Sequence, residues 1–358
     1  MSVDNLDYDS IWCDETVRDI LTRQHQDSIS VQNSIADLRQ NLMTNPCPAE
    51  LRGLVWKLLL GVYQTSWEDY AGLLKDGPTA LAGNIKNDTF RTFSTDTKFT
   101  GNVTEDMLIR MLNAFVRVND ALISAVENNS RATIVRNHLN FHRIESLTYV
   151  QGMNVLAGPF LLALSEVEAF YGFSTFIFKW CPLYVQPTMR GVHCGLRLLD
   201  ICLRALDPTL YGYLRGKNMS ANTYAFASVM TFSACTPPLS ELLQLWDYMF
   251  ARGRHMNVLF IIAQLALIRT ELLQSPSPIN LLRVLPPLRA KAIINLTNSL
   301  CKNLSPELHD KLARHAYDEE ISNELGIQTT TDSNYTEQDD TTTDLPAFMV
   351  DAIDNVMI

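Results

Sequence analysis

The chain has 358 residues, 47% of them hydrophobic, and a formal net charge of -10. That length suits one large domain or two ordinary ones with a sizeable core. Eleven acids and no lysine or arginine follow Arg314, and taking those eleven from the 39 acidic residues leaves 28 against 29 basic ones, so the body is close to neutral and nucleic acid is excluded as the main partner.

Residues 1–30 are polar and mixed, with a weak helical pattern at Ile11, Val17, Ile20 and Leu21, and read as an accessory N-terminal segment. A domain over 31–318 follows. From Ser28, the residues Ile29, Val31, Ile35, Leu38 and Leu42 recur at helical spacing until Asn45-Pro46-Cys47-Pro48 stops them. The next helix starts near Pro48, carries Leu51, Leu54, Val55, Leu58 and Leu59 on one face, and closes at Gly61. Arg52 and Trp56 lie one turn apart on it and read as a packing anchor whose arginine reaches a neighbouring carboxylate. A short helix over Trp67 to Lys75 is broken by Asp76-Gly77-Pro78.

A polar connector then carries Asp88 and Arg91, and loop continues to about Asn102. Thr104, Glu105 and Asp106 cap and charge the start of a helix whose apolar face runs through Leu108, Met111, Leu112, Phe115 and Val116 toward Leu122. Asp120 to Leu147 is a long segment containing histidine and asparagine. Ala157, Gly158 and Pro159 fit a tightly packed helix behind Tyr149. Leu196, Leu199, Leu203 and Leu206 mark a helix ending at Asp207-Pro208. Further helices are expected from Ser240, as cap, to Gly253, over Val258 to Leu273, over Leu288 to Leu300 after Pro286-Pro287, and from Ser305-Pro306-Glu307. No stretch alternates with paired turn signals and no internal repeat is visible, so the fold class is all-α.

Residues 319–358 read as an acidic, largely disordered tail: Thr329 to Thr343 is rich in threonine and aspartate. Over 345–357 Leu345, Met349, Ala352, Ile353, Val356 and Met357 return at helical spacing, as in a short docking helix or a frayed terminus. The odd number of cysteines, Cys13, Cys47, Cys181, Cys194, Cys202, Cys235 and Cys301, with no C-x-x-C pair, reads as reduced thiols. The N-terminus shows no basic and apolar leader, and the apolar runs Val155 to Leu164 and Val258 to Ile268 are shorter than the ~18 residues of a membrane span. A soluble, intracellular, cytoplasmic chain without a membrane span is expected.

Three stretches carry chemistry. Ile85-Lys-Asn-Asp88-Thr-Phe-Arg91-Thr places an arginine three residues after an aspartate, which alone reads as a surface ion pair worth under about 1 kcal/mol. Upstream is Arg52-Gly-Leu-Val-Trp56. Downstream is Tyr149-Val-Gln151-Gly152-Met-Asn154, followed by Leu156 and Pro159. The order R-x-x-x-W, I-x-x-D-x-x-R-T, Y-x-Q-G-x-x-x-L-x-x-P resembles the TBC domain, a family of GTPase-activating proteins best known for acting on Rab GTPases. Leu245-Trp246-Asp247-Tyr248-Met249-Phe250-Ala251-Arg252-Gly253 is similar to a later motif of the same family, whereas Ala225-Phe226 stands where many members carry a tryptophan-phenylalanine pair.

The resemblance implies a TBC-type helical domain and two groups supplied in trans to a Ras-like small GTPase, Arg91 and Gln151. The residue types suit that chemistry: a guanidinium stays charged and offers a planar fork of donors, and a glutamine amide donates and accepts at once. Asp88 would orient Arg91, Tyr149 support the glutamine loop, Gly152 let the backbone approach the partner, Arg52 brace the network from below, and Asn154 make a supporting contact. Tyr149 and Asn154 also read as fold-supporting. No cofactor of its own is implied, since GTP and Mg²⁺ sit on the partner. Family members bring Y-x-Q-G sooner after the preceding helix than this chain does.

The same stretches, with Ser275-Pro-Ser-Pro-Ile-Asn-Leu-Leu-Arg283, resemble the mitotic-exit and septation checkpoint branch. There the TBC protein is one subunit of a two-component activator at spindle poles, which implies a scaffold subunit as a second partner. Two other classes stay open. One is a recruitment module that binds a GTPase without accelerating it, so that the chain is an activator or no enzyme at all. The other is an unrelated metabolic enzyme, against which stand the lack of a glycine-rich phosphate loop and of metal spacing among His138, His142 and His255.

Overall fold

The computed structural model describes residues 8–23, 28–127 and 149–327, and among them every regular element is helical. Helices α1 (Tyr8–Thr22) and α2 (Ser28–Leu42) pack together through the buried Val17, Ile20, Leu38 and Leu42. Helix α3 (Arg52–Leu60) closes on Gly61, whose φ of 77° is the left-handed conformation of a C-terminal glycine cap. Helix α4 (Trp67–Lys75) starts where the Ser66 side chain accepts from the Asp69 amide.

The polar connector of the sequence reading is a helix, α5 (Ala82–Thr89). Its polarity belongs to the outer face, while fully buried Ile85 pins the inner face on the long α6 (Glu105–Glu127). Thr104 caps α6 as expected, accepting from the Met107 amide at 3.3 Å. The long segment toward Leu147 enters α6 as far as Glu127, and its remainder, with His138 and His142, lies outside the described residues.

Helix α7 (Met153–Ala163) is the centre of the molecule: nine consecutive residues from Met153 to Leu161 are buried. Pro159 lies inside it. Gly158 is required there, because a Cβ would come within 2.5 Å of the Phe93 ring. Helix α8 (Glu166–Thr175) opens with a Ser165–Glu168 capping box, and α9 (Arg190–Leu206) runs into α10 (Pro208–Gly216), capped by Asp207. Helix α11 (Leu239–Arg252) starts after Pro238, so Ser240 is a first-turn residue rather than the cap. The single helix expected over Val258 to Leu273 is two, α12 (Met256–Leu267) and α13 (Arg269–Gln274), with Ile268 breaking the run. Helices α14 (Ala290–Lys302) and α15 (Pro306–Arg314) follow, the latter capped by Ser305.

Packed helical structure continues past residue 318. Asp318 caps a last helix, α16 (Glu319–Glu324), whose Ile321 and Ser322 are buried against α9. Its acids suit a helix N-terminus, and Arg314 bonds Asp318 at 2.7 Å while Arg190 lies 3.4 Å from Glu319. The body therefore extends to Ile327. The stretches 329–343 and 345–357 lie outside the described residues.

The core is an aromatic cluster where α3, α7, α8 and α11 meet. Trp56 stands 5.0 Å from Phe250 and 5.6 Å from Phe160, and Trp246 stands 5.6 Å from Phe160, all fully buried. No helix among the described residues is long and apolar enough to cross a membrane.

Candidate functional site

Helix α5 delivers the Asp88–Arg91 stretch to the surface in its last turn. The Thr92 amide bonds the Thr89 carbonyl at 3.1 Å, and the Thr92 hydroxyl donates to the Asp88 carbonyl at 2.9 Å. Phe93 then turns inward at φ +50°, buried and edge-on to Phe99 at 5.0 Å. A bulky residue at positive φ is strained, and burial of the ring beside Gly158 holds it there. Between these anchors Phe90 is 62% exposed and Arg91 is half-buried, its guanidinium carbon 5.4 Å from the Phe90 ring.

The second stretch is a turn that opens α7. Gly152 sits at φ +100°, a conformation that favours glycine, and its amide donates to the Asn154 side chain at 3.1 Å. A Cβ on Gly152 would meet the Met230 methyl at 3.1 Å and Thr231 at 3.6 Å. The positive φ therefore calls for glycine at this turn, where it is buried against Met230 and Thr231. Gln151 is half-exposed, and no hydrogen bond holds its side chain among the described residues.

Asp88 joins the two stretches. The Tyr149 hydroxyl donates to its carboxylate at 2.8 Å, and the Asn154 amide donates both to the Asp88 carbonyl at 3.0 Å and to the Thr92 hydroxyl at 2.9 Å. Burial, with the Asp88 charge adding to it, pushes the Tyr149 phenol far above its ordinary value, so it remains a donor. Asn154 is fully buried and spends both ends of its amide on this staple. The last turn of α5 and the first turn of α7 are thus fixed to each other, with Arg91 three residues from Asp88 and Gln151 two residues from Tyr149.

Arg52 and Trp56 lie elsewhere. The Arg52 guanidinium grips Asp247 of α11 with Nε at 2.9 Å and a terminal nitrogen at 2.9 Å, and Trp56 Nε1 donates to the same carboxylate at 2.7 Å. Its further contact is the Cys47 carbonyl at 3.5 Å, so Arg52 braces α3 against α11 and not the Asp88 staple. Burial pushes the Asp247 carboxyl up, against the pull of Arg52 and Trp56. The sequence reading foresaw a carboxylate for Arg52 but did not name Asp247, nor Thr92 and Phe93. The nearest signals were the aspartate of Leu245-Trp246-Asp247 and the Thr-Phe pair after Arg91.

Among the described residues no group of three histidines, cysteines or carboxylates is placed to hold a metal, and the six described cysteines are unbridged. The groove lined by Met43, Arg252, Cys301 and Lys302 includes none of Asp88, Arg91, Tyr149 or Gln151. The two turns present an arginine, an exposed aromatic and an amide on a surface, an arrangement for meeting another macromolecule rather than enclosing a small substrate.

A family model for the Rab-GTPase-TBC domain matches residues 49–273. The chain is 43% identical over 270 residues to cell division control protein 16 of Schizosaccharomyces pombe, covering 75% of this chain and 82% of that one. It is 36% identical over 302 residues to the mitotic check point protein BUB2 of Saccharomyces cerevisiae, covering 81% of this chain and 94% of that one. Among solved structures, that of the Ypt/Rab-GAP domain of Gyp1p superposes with a TM-score of 0.64 at 16% identity over 82% of this chain and 97% of its own, a likeness of fold.

Proposed function

This chain belongs to the Rab-GTPase-TBC domain family, and from that premise we propose that it accelerates GTP hydrolysis by a Ras-like small GTPase in the control of mitotic exit or septation. Hydrolysis on such a GTPase is slow because charge develops on the phosphates and the attacking water is poorly held. Arg91 supplies the planar cation and Gln151 orients the water, each reaching into the partner's site, where GTP and Mg²⁺ are bound. The observation that carries this reading is the staple through Asp88: it makes one rigid unit of the two turns that bear these side chains. Two groups held in fixed relation lose little entropy when they engage one transition state.

The second partner is a scaffold subunit, with which the chain forms a two-component activator acting at spindle poles. Support for it is the relation to cell division control protein 16 and the mitotic check point protein BUB2. The test is single-turnover hydrolysis by a candidate GTPase with this chain alone and with the scaffold. Arg91→Ala should lose most of an acceleration of about a thousand- to a hundred-thousand-fold, and Gln151→Ala a comparable part, while complexes still form. Rates indifferent to both substitutions would move the chain to a module that recruits the GTPase.

A further inference from the structure

A groove lies between the end of α2, the end of α11, and helices α14 and α15. It encloses about 570 Å³ and is lined by Met43 and Cys301 on its apolar side and by Arg252, Lys302, His309 and Asn298 on its polar side. Arg252 and Lys302 are exposed and form no ion pair among the described residues. Each closes a helix C-terminus, whose partial negative charge answers part of their own. The rest of that charge faces the groove, so the site fits a ligand that is acidic and partly apolar.

We propose that residues 328–358 of this chain dock back into this groove. Charge separates them from the other long segment outside the described residues. Residues 128–148 bring Arg131, Arg136 and Arg143 against the single Glu145 and would be repelled. Residues 328–358 bring Asp332, Glu337, Asp339, Asp340, Asp344, Asp351 and Asp354 with no lysine, arginine or histidine, and add Leu345, Phe348, Met349 and Ile353 for the apolar side. The point of departure agrees. Ile327 follows α16, whose Glu324 lies 3.2 Å from Lys311 of α15, and His309 of that same α15 lines the groove. From there each extended residue adds about 3.3 Å, so residues 328–358 can span on the order of 100 Å.

Zero-length carbodiimide coupling of the dilute full chain, followed by peptide mass spectrometry, tests the docking. It should join the Lys302 amine to carboxylates between Asp332 and Asp344 of the same molecule. Yield should fall about tenfold in Arg252→Glu, in a chain whose seven tail acids are replaced by their amides, and in salt near 0.5 M. The amide-tail variant alters no described residue, and an unchanged melting temperature separates lost docking from lost fold. Hydrogen exchange gives a second reading: the last turn of α14 should exchange more slowly in the wild type than in the amide-tail chain. Links spread over surface lysines without preference for Lys302 overturn the proposal, as do links formed only between differently labelled copies.

Discussion

Two polar networks, each built around an aspartate, sit in different surroundings. In the first, Arg52, Trp56 and Asp247 bolt α3 to α11 inside the core, with Arg52 8% and Asp247 3% exposed. In the second, Asp88, Tyr149, Thr92 and Asn154 staple the end of α5 to the start of α7 and open at one edge onto Phe90, Arg91 and Gln151. Both contain an aspartate and the first residues of a family motif. Burial separates their work: the guanidinium of Arg52 is consumed by the fold, and the staple fixes the frame from which another guanidinium meets the surface.

The sharpest way to break the contrast is to remove one member of each. Asp247→Ala leaves Arg52 charged and unmatched in the core and should cost about 3–5 kcal/mol, read as a fall in the denaturation midpoint, with any loss of activity tracking the unfolded fraction. Replacing Arg52 and Asp247 together by apolar residues of similar volume should restore most of that stability. A double variant as unstable as the single one would mean that the pair contributes more than mutual neutralisation.

A second difference appears on acidification. In the locked body His315 donates Nδ1–H to the Leu312 carbonyl, so Nε2 of the neutral ring accepts from Tyr184 at 2.8 Å. Burial lowers His315 to about 4 and His255 to about 3. The unfolded chain takes up these protons from about pH 6.5 downward while the folded chain resists, so stability is complete above pH 6.5 and is lost as pH falls toward 4. Each such histidine adds a slope of about 1.4 kcal/mol per pH unit in that window. His315→Gln should remove one proton's worth of slope between pH 6 and 4.5, and an unaltered slope would assign the acid sensitivity elsewhere.

Within the staple the effects are smaller and shift from stability to rate. Asn154→Ala deletes the bonds to Asp88, Thr92 and Gly152 and should cost about 1–3 kcal/mol. It should also lower the saturating rate of GTP hydrolysis about tenfold, with GTPase binding retained, because the two turns lose their fixed relation. A fall in binding with the rate intact would make the staple a docking feature instead.

Helices and their ends were largely legible, because periodicity and caps are local: Trp67–Lys75 and the caps at Thr104 and Ser305 lie where the sequence puts them. Partnerships across the chain were not. Arg52 finds Asp247 across 195 positions and Tyr149 finds Asp88 across 61, separations that no spacing rule encodes. Composition misled in two places. Polar Asn84, Lys86 and Asn87 concealed the helix α5 because its buried face carries only one aliphatic residue, Ile85, with the polar Thr89. The acids of 319–324 looked like tail, although they belong to a packed helix that Asp318 caps. Arg91 and Gln151 were legible as a motif, whereas the packing of Gly152 on Met230 emerged only in the fold.

Phe90 sharpens the comparison at its outer edge. Its ring is 62% exposed beside the Arg91 guanidinium, so Phe90→Ala should change stability by no more than about 0.5 kcal/mol, unlike any buried aromatic around Trp56. An aromatic on a surface that meets another protein gains its energy there by excluding water, and losing about 1 kcal/mol corresponds to roughly fivefold in affinity. The expected result is a GTPase concentration for half-maximal acceleration raised about fivefold, with the saturating rate kept within about twofold. If the saturating rate collapses while half-saturation stays put, Phe90 acts by holding the Arg91 guanidinium in place. The boundary between frame and partner-facing surface then moves outward by one residue.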